Sequence, residues 1–127
     1  MINSIFNIND SQYSYYKNNR LTILNKELIS THNDPIIILN KLKTKSKFVR
    51  LNCNLNSSEV TSFQLFFKET KTSKYNESDS YTVTIKKGNN KISLIIPSKY
   101  INNNLRVDLV GKVGKYIIND FSIYEIQ

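Results

Sequence analysis

The sequence predicts an all-β fold, an antiparallel sandwich or barrel of about eight or nine short strands spaced by turn residues. Three observations carry this. Apolar residues alternate with polar ones from end to end, the period of a strand with one wet face. No window keeps apolar residues at i, i+3, i+4 and i+7 for several turns, so helical signals are poor. The apolar set is mostly Ile, Leu, Val, Tyr and Phe, types that suit a pleated, half-buried surface.

Leu21 and Ile23 open one strand, and Leu28 follows across an Asn25-Lys26 turn. Pro35 starts the continuous run Ile36 to Leu39, the pattern of a strand covered on both faces. Val49, Leu51, Cys53 and Leu55 then share one face, with Phe48, Arg50, Asn52 and Asn54 on the other. A polar turn, Asn56 to Glu59, leads to Phe63, Leu65 and Phe67, and Lys68 to Ser80 reads as a long polar loop. Tyr81, Val83 and Ile85 form a strand ended by Lys87-Gly88-Asn89-Asn90, residues that tolerate positive φ. The expectation is a hairpin, with Ile92, Leu94 and Ile96 returning from it. Leu105, Val107 and Leu109 make the next strand, Gly111 and Gly114 bracket a tight connection, and Tyr116–Ile118 and Phe121–Ile126 complete the chain. The polar stretch Asn7 to Asn19 shows no sustained pattern.

At 127 residues with 39% hydrophobic content, one core is affordable and two are not, so residues 1–127 read as one domain with 1–19 irregular. Met1 to Arg20 lacks the basic start and apolar run of a signal peptide, and no stretch approaches the ~20 apolar residues that span a bilayer. The chain therefore reads as soluble and cytoplasmic, unless it belongs to a longer protein, whose location it then shares.

The formal charge of +8 attracts phosphates or anionic headgroups only where the cations share a face, and an AT-rich codon bias raises Lys without any acidic partner. Lys41–Arg50 and Lys68–Lys74, with Phe48 and Tyr75 as stacking partners, form the one nucleic-acid patch the sequence offers. The same segments read better as solvated loop and edge, where lysines oppose aggregation. A single cysteine, Cys53, excludes an internal disulfide and a multi-cysteine metal site. Nothing local joins it to the only histidine, His32, as a nucleophile pair. Glu59, Glu69, Glu77 and Asp79 are scattered in or beside loops rather than paired across a sugar, and three glycines are too few for a phosphate-cradling loop. No cofactor is called for. Stacking on a pyranose needs an exposed ring beside hydrogen-bonding groups, and Trp is absent. Tyr13, Tyr15, Tyr16 and Tyr75, all in polar surroundings, are the candidate platforms. Arg106 and Asp108 share one strand face and are read as ordering the sheet.

From Ser58 to Ile126 the order of features is distinctive. Phe63-Gln64-Leu65-Phe66-Phe67 precedes a polar loop and an aliphatic hairpin, then Leu105-Arg106-Val107-Asp108-Leu109, a glycine turn and an alternating ending, Tyr116 to Ile126. This resembles the jelly-roll accessory domains, similar to carbohydrate-binding modules, of bacterial glycosyltransferases that build surface polysaccharides. Their pattern reads Leu-Arg-x-Asp-Pro, and Leu109 stands here in place of the proline. The resemblance implies a non-catalytic jelly-roll module whose partner is a glycan or the catalytic domain of its own parent protein. It also implies a structural calcium, for which Asp34 and Asp120 are the candidates. A basic nucleic-acid barrel and a structural domain of a phage or cell-surface adhesin are the alternatives.

Overall fold

A computed structural model describes residues 3–68 and 74–126 of the chain. Eleven strands lie among these residues: β1 (Ser4–Asn7), β2 (Tyr16–Lys17), β3 (Leu21–Leu24), β4 (Glu27–Ser30), β5 (Ile37–Leu39), β6 (Phe48–Ser57), β7 (Thr61–Phe66), β8 (Ser80–Ile85), β9 (Gly88–Pro97), β10 (Leu105–Asp108) and β11 (Gly114–Glu125). They form two antiparallel sheets. One runs β3-β4-β11-β6-β9, with β1 also paired to β11, and the other runs β2-β5-β10-β7-β8. The fold is an all-β sandwich and not a barrel.

Alternation accounts for the core. Along β6 the residues Val49, Leu51, Cys53 and Leu55 are buried while Phe48, Arg50, Asn52 and Asn54 turn outward. From the other sheet Ile37, Leu39, Phe63, Leu65, Leu105 and Val107 meet them. Burial of this kind contributes roughly 25 cal/mol for each Å² of apolar surface removed from water. The run Ile36 to Leu39 is buried on one face only, with Ile36 and Ile38 half-buried on the other. Two strands also lie in the stretch expected to be irregular, where Phe6 anchors β1 in the core and Tyr16–Lys17 pairs with β5.

The Asn25-Lys26 turn joins β3 and β4 as expected, with both residues at positive φ, as in the two-residue turns that match strand twist. The expected hairpin between Tyr81–Lys87 and Lys91–Ile96 does not form. β8 pairs with β7 in one sheet and β9 with β6 in the other, so Lys86–Gly88 is a crossing between sheets. The misreading has a physical cause: edge strands of opposite sheets turn their apolar residues toward the same core, so alternation looks alike in a crossing and a hairpin. What decides the matter is β6, whose ten residues match the ten of β9 in unbroken register. At the crossing Gly88 has φ +94°, and the buried Asn90 amide donates to the carbonyls of Leu55, Lys86 and Gly88 while accepting from the Lys86 N–H.

The two closing segments of the chain are one strand. Tyr116 and Ile118 are buried, as are Phe121 and Ile123, and a bulge between Ile118 and Asp120 shifts the alternation so that all four face the core.

Candidate functional site

The outer face of the five-stranded sheet collects polar and aromatic side chains in register. Tyr16 lies opposite Ile38, Ile38 opposite Arg106, Arg106 opposite Phe66, and Phe66 opposite Ser80. One row over, Asp108 lies opposite Gln64 and Gln64 opposite Thr82. Alternation places these residues here because Leu105, Val107, Phe63 and Leu65 occupy the inward positions.

Arg106 and Asp108 form the centre. Arg106 Nε and Nη2 donate to the two carboxylate oxygens of Asp108 at 3.0 and 2.9 Å, a two-pronged pair along a single strand. The two side chains pair with each other along β10, the arrangement that their spacing on one strand face allows. Arg106 reaches β7 through its guanidinium, which lies 4.4 Å from the centre of the Phe66 ring. Tyr75 joins them, its ring centre 6.4 Å from that of Phe66 with the rings edge to face, and 5.8 Å from the Arg106 guanidinium. Its hydroxyl donates to the Asn104 carbonyl, and the Lys68 ammonium sits 4.4 Å over its ring. Gln64 Nε2 donates to Glu77 Oε2 at 2.5 Å and to Ser80 Oγ at 3.1 Å. Beyond Arg106, Arg20 pairs with Asp34, whose charge also acts on Asp108.

Burial pushes the Asp108 carboxyl above its ordinary value, and the Arg106 hydrogen bond offsets only part of this. Arg106 is held above its own ordinary value by the hydrogen bond to Asp108. The carboxylate is the more buried partner and bears more of the desolvation. Glu125, at one end of the sandwich, is the opposite case, its carboxyl held low by hydrogen bonds, first from Ser46. The signs follow from linkage. The stability that Asp108 contributes is present below the ordinary carboxylate range and is lost as pH rises through its elevated pKa. The stability from Glu125 is present above that range and is lost as pH falls through its lowered one. Carboxyl carbon-13 titration is expected to place the Asp108 midpoint above 3.8 and the Glu125 midpoint below 4.5; the reverse order would contradict these environments.

Of the four candidate tyrosines, the structure puts Tyr16 and Tyr75 on this face. Tyr13 and Tyr15 instead pack on Phe6, each with ring centres 6.1 Å from it. The calcium candidates do not converge. Asp34 is engaged by Arg20 beside the five-stranded sheet, whereas Asp120 lies on the outer face of the six-stranded sheet opposite Asn54. Among the described residues no group of three or more His, Cys, Asp or Glu could hold a metal ion. The two stacking partners of the nucleic-acid patch do not meet, since Phe48 is on the outer face of the six-stranded sheet and Tyr75 on that of the other. The central part of Lys68–Lys74, with Glu69, lies outside the described residues. Cys53 faces the core and its thiol is pushed up to about 12, chiefly by burial, while His32 is exposed and bonded to Thr31. No thiolate is available there at neutral pH. Among the described residues no helix is long and apolar enough to cross a membrane.

With this geometry in place, solved structures provide the comparison. The chain superposes on the apo structure of BiXyn10A CBM1 with a TM-score of 0.62 at 12% identity, over 98% of this chain and 99% of that one. The two share one fold. A second match is the CBM22-1–GH10 structure of Clostridium thermocellum endo-1,4-β-D-xylanase 10B complexed with xylohexaose, with a TM-score of 0.61 at 13% identity. All of this chain is covered there, but only 29% of the longer one. No family model matches the chain, and no curated protein does.

Arg and Asp two apart on a strand share a face and can pair, as Arg106 and Asp108 do, but the spacing does not indicate that Phe66 and Tyr75 stand beside them. The Gln64–Glu77 bond links a strand to a loop 13 positions away and has no local signal.

Proposed function

We propose that this domain is a non-catalytic module that binds a polysaccharide chain across the outer face of its five-stranded sheet. The observation that carries the reading is the Arg106–Asp108 fork beside the Tyr75–Phe66 ledge, with Gln64 and Glu77 next to it. A pyranose presents CH groups to a ring and hydroxyls to its rim. Tyr75 and Tyr16 supply the rings, while Arg106, Gln64 and the carboxylates of Asp108 and Glu77 supply donors and acceptors. The xylohexaose complex of a structural neighbour supports a β-1,4-linked xylan as the first ligand to try.

Titration with xylohexaose is the test. Tyr75→Ala is expected to weaken binding by on the order of 1 kcal/mol, and Tyr16→Ala, at the exposed edge, by less. Tyr75→Phe keeps the ring and is expected to bind nearly as the parent does. Xylohexaose binding that survives Tyr75→Ala and Tyr16→Ala unchanged would remove this face from consideration.

A second reading is docking on the catalytic domain of a parent protein. Leu24, Ile29 and Ile117 favour it, standing exposed on the outer face of the six-stranded sheet. The parent itself is a proposal. The sequence resemblance supports a surface-polysaccharide glycosyltransferase, the structural neighbours come from xylanases, and the residues encoded beside this chain decide between them.

A further inference from the structure

A crevice of about 430 Å³ opens at the end of the sandwich where β5 leaves its sheet and β11 finishes. Tyr13 lines it, its ring fixed from two sides by Phe6 at 6.1 Å and by a hydrogen bond from its hydroxyl to the Ser4 carbonyl at 3.1 Å. Asn40 adds an amide, and Gln12 adds its amide oxygen while its Nε2 donates to Asp10 Oδ2 at 2.9 Å. On the rim are Lys41 and Lys43, the first of four lysines that recur with period two, Lys41, Lys43, Lys45 and Lys47. All four are exposed, while Leu42 between the first two is buried and pins the segment to the core. Lys41 has φ +59°, a backbone state that costs a non-glycine residue about 1 kcal/mol or more, and the chain adopts it at the crevice.

The charges are not neutralised from within. The ion pairs among the described residues are Arg20–Asp34, Arg106–Asp108 and Lys115–Glu27, none of which uses these lysines. The carboxylate lining the crevice, Glu125, is occupied by Asn3 Nδ2 at 2.6 Å and Ser46 Oγ at 2.7 Å. Two ammonium groups against one satisfied carboxylate leave the crevice net positive, next to a fixed ring and two amides.

We infer that this crevice is a second, separate glycan site that takes an acidic sugar, a uronate whose ring lies on Tyr13 and whose carboxylate meets Lys41 and Lys43. The Asn40 amide and the Gln12 amide oxygen serve its hydroxyls. A ring platform is what a bare anion does not need, and paired ammonium groups are what a neutral sugar does not need. Their presence together selects a charged pyranose. The inference rests on the reading of the domain as a glycan binder but uses a different part of it.

The experiment is amide-detected NMR titration with trigalacturonate, its neutral methyl ester, inorganic phosphate and, in parallel, xylohexaose. The acid is expected to shift resonances of residues 40–47 and the Tyr13 ring. Its affinity should fall about tenfold or more in the Lys41→Gln/Lys43→Gln variant and with the ester, the scale of losing charge-assisted hydrogen bonds. Both substitutions are at exposed positions, so the fold persists. Equal binding of acid and ester, no effect of the double variant, or equally strong phosphate binding at the same resonances would each overturn the inference. Xylohexaose keeps the two readings apart. Shifts on β7 and β10 without any response of the crevice to the acid defeat this inference alone, and the converse defeats the sheet-face proposal alone.

Discussion

Truncation of Phe121 to alanine is expected to destabilise the domain by about 3–5 kcal/mol, the range for removing a buried phenyl group. Phe121 is fully buried in β11, the strand with neighbours on the most sides, and its ring meets Phe6 edge to face at 5.4 Å. The loss thus reaches the core and the anchor of β1 together. Small domains are stable by only ~5–15 kcal/mol, so this loss removes a large fraction of the total and lowers the unfolding midpoint accordingly. Denaturant titration measures this, with Phe121→Leu as the comparison that keeps most of the volume. A loss under 1 kcal/mol would mean that the core collapses around the cavity and that the bulge before Phe121 is not held by packing.

Replacement of Asn90 by alanine is expected to cost about 2–3 kcal/mol, although Asn90 adds no apolar area. Its side chain accepts from the Lys86 N–H and donates to three carbonyls, those of Leu55, Lys86 and Gly88. Removing it leaves polar groups in a buried place without partners, which is more expensive than the net worth of any one bond. Asn90→Asp retains the acceptor for Lys86 but turns a second carboxylate oxygen toward the three carbonyls, and is expected to be at least as destabilised as Asn90→Ala. The readout is the denaturation midpoint at constant slope. An unchanged midpoint in Asn90→Ala would show that Gly88 alone suffices to carry the chain between the sheets.

Asn90 also marks where local sequence stops being informative. The strand itself was legible from Ile92, Leu94 and Ile96, but its partner was not, because Gly and Asn suit a tight hairpin and a crossing equally well. The partner was set by length, with β6 offering ten positions to β9 and β8 only six to β7. β6 could be read almost residue by residue, since its inner face is apolar and its outer face polar throughout. The closing strand was read as two pieces because Asn119 breaks the period, and a bulge preserves burial across such a break. For the site, alternation explains why Arg106 and Asp108 share a face, yet it is silent about Tyr75, which comes from a loop. Polar neighbours in sequence also failed to separate Tyr13 and Tyr15, which rest on Phe6, from Tyr16, which lies one position further along an edge strand.

The pairing of β1 with β11 decides how the domain bears mechanical load. Asn3 and Glu125 are hydrogen-bonded to each other, backbone to backbone at 2.9 Å, and β1 runs antiparallel to β11 from that point inward. Tension applied at these two residues acts across the ladder rather than along it, so the bonds open one after another like a zip. Strands loaded lengthwise must break their bonds all at once. A module of this geometry yields at its first strand under modest pull, while β6 and β9, paired over ten residues in the interior of the sequence, stay zipped.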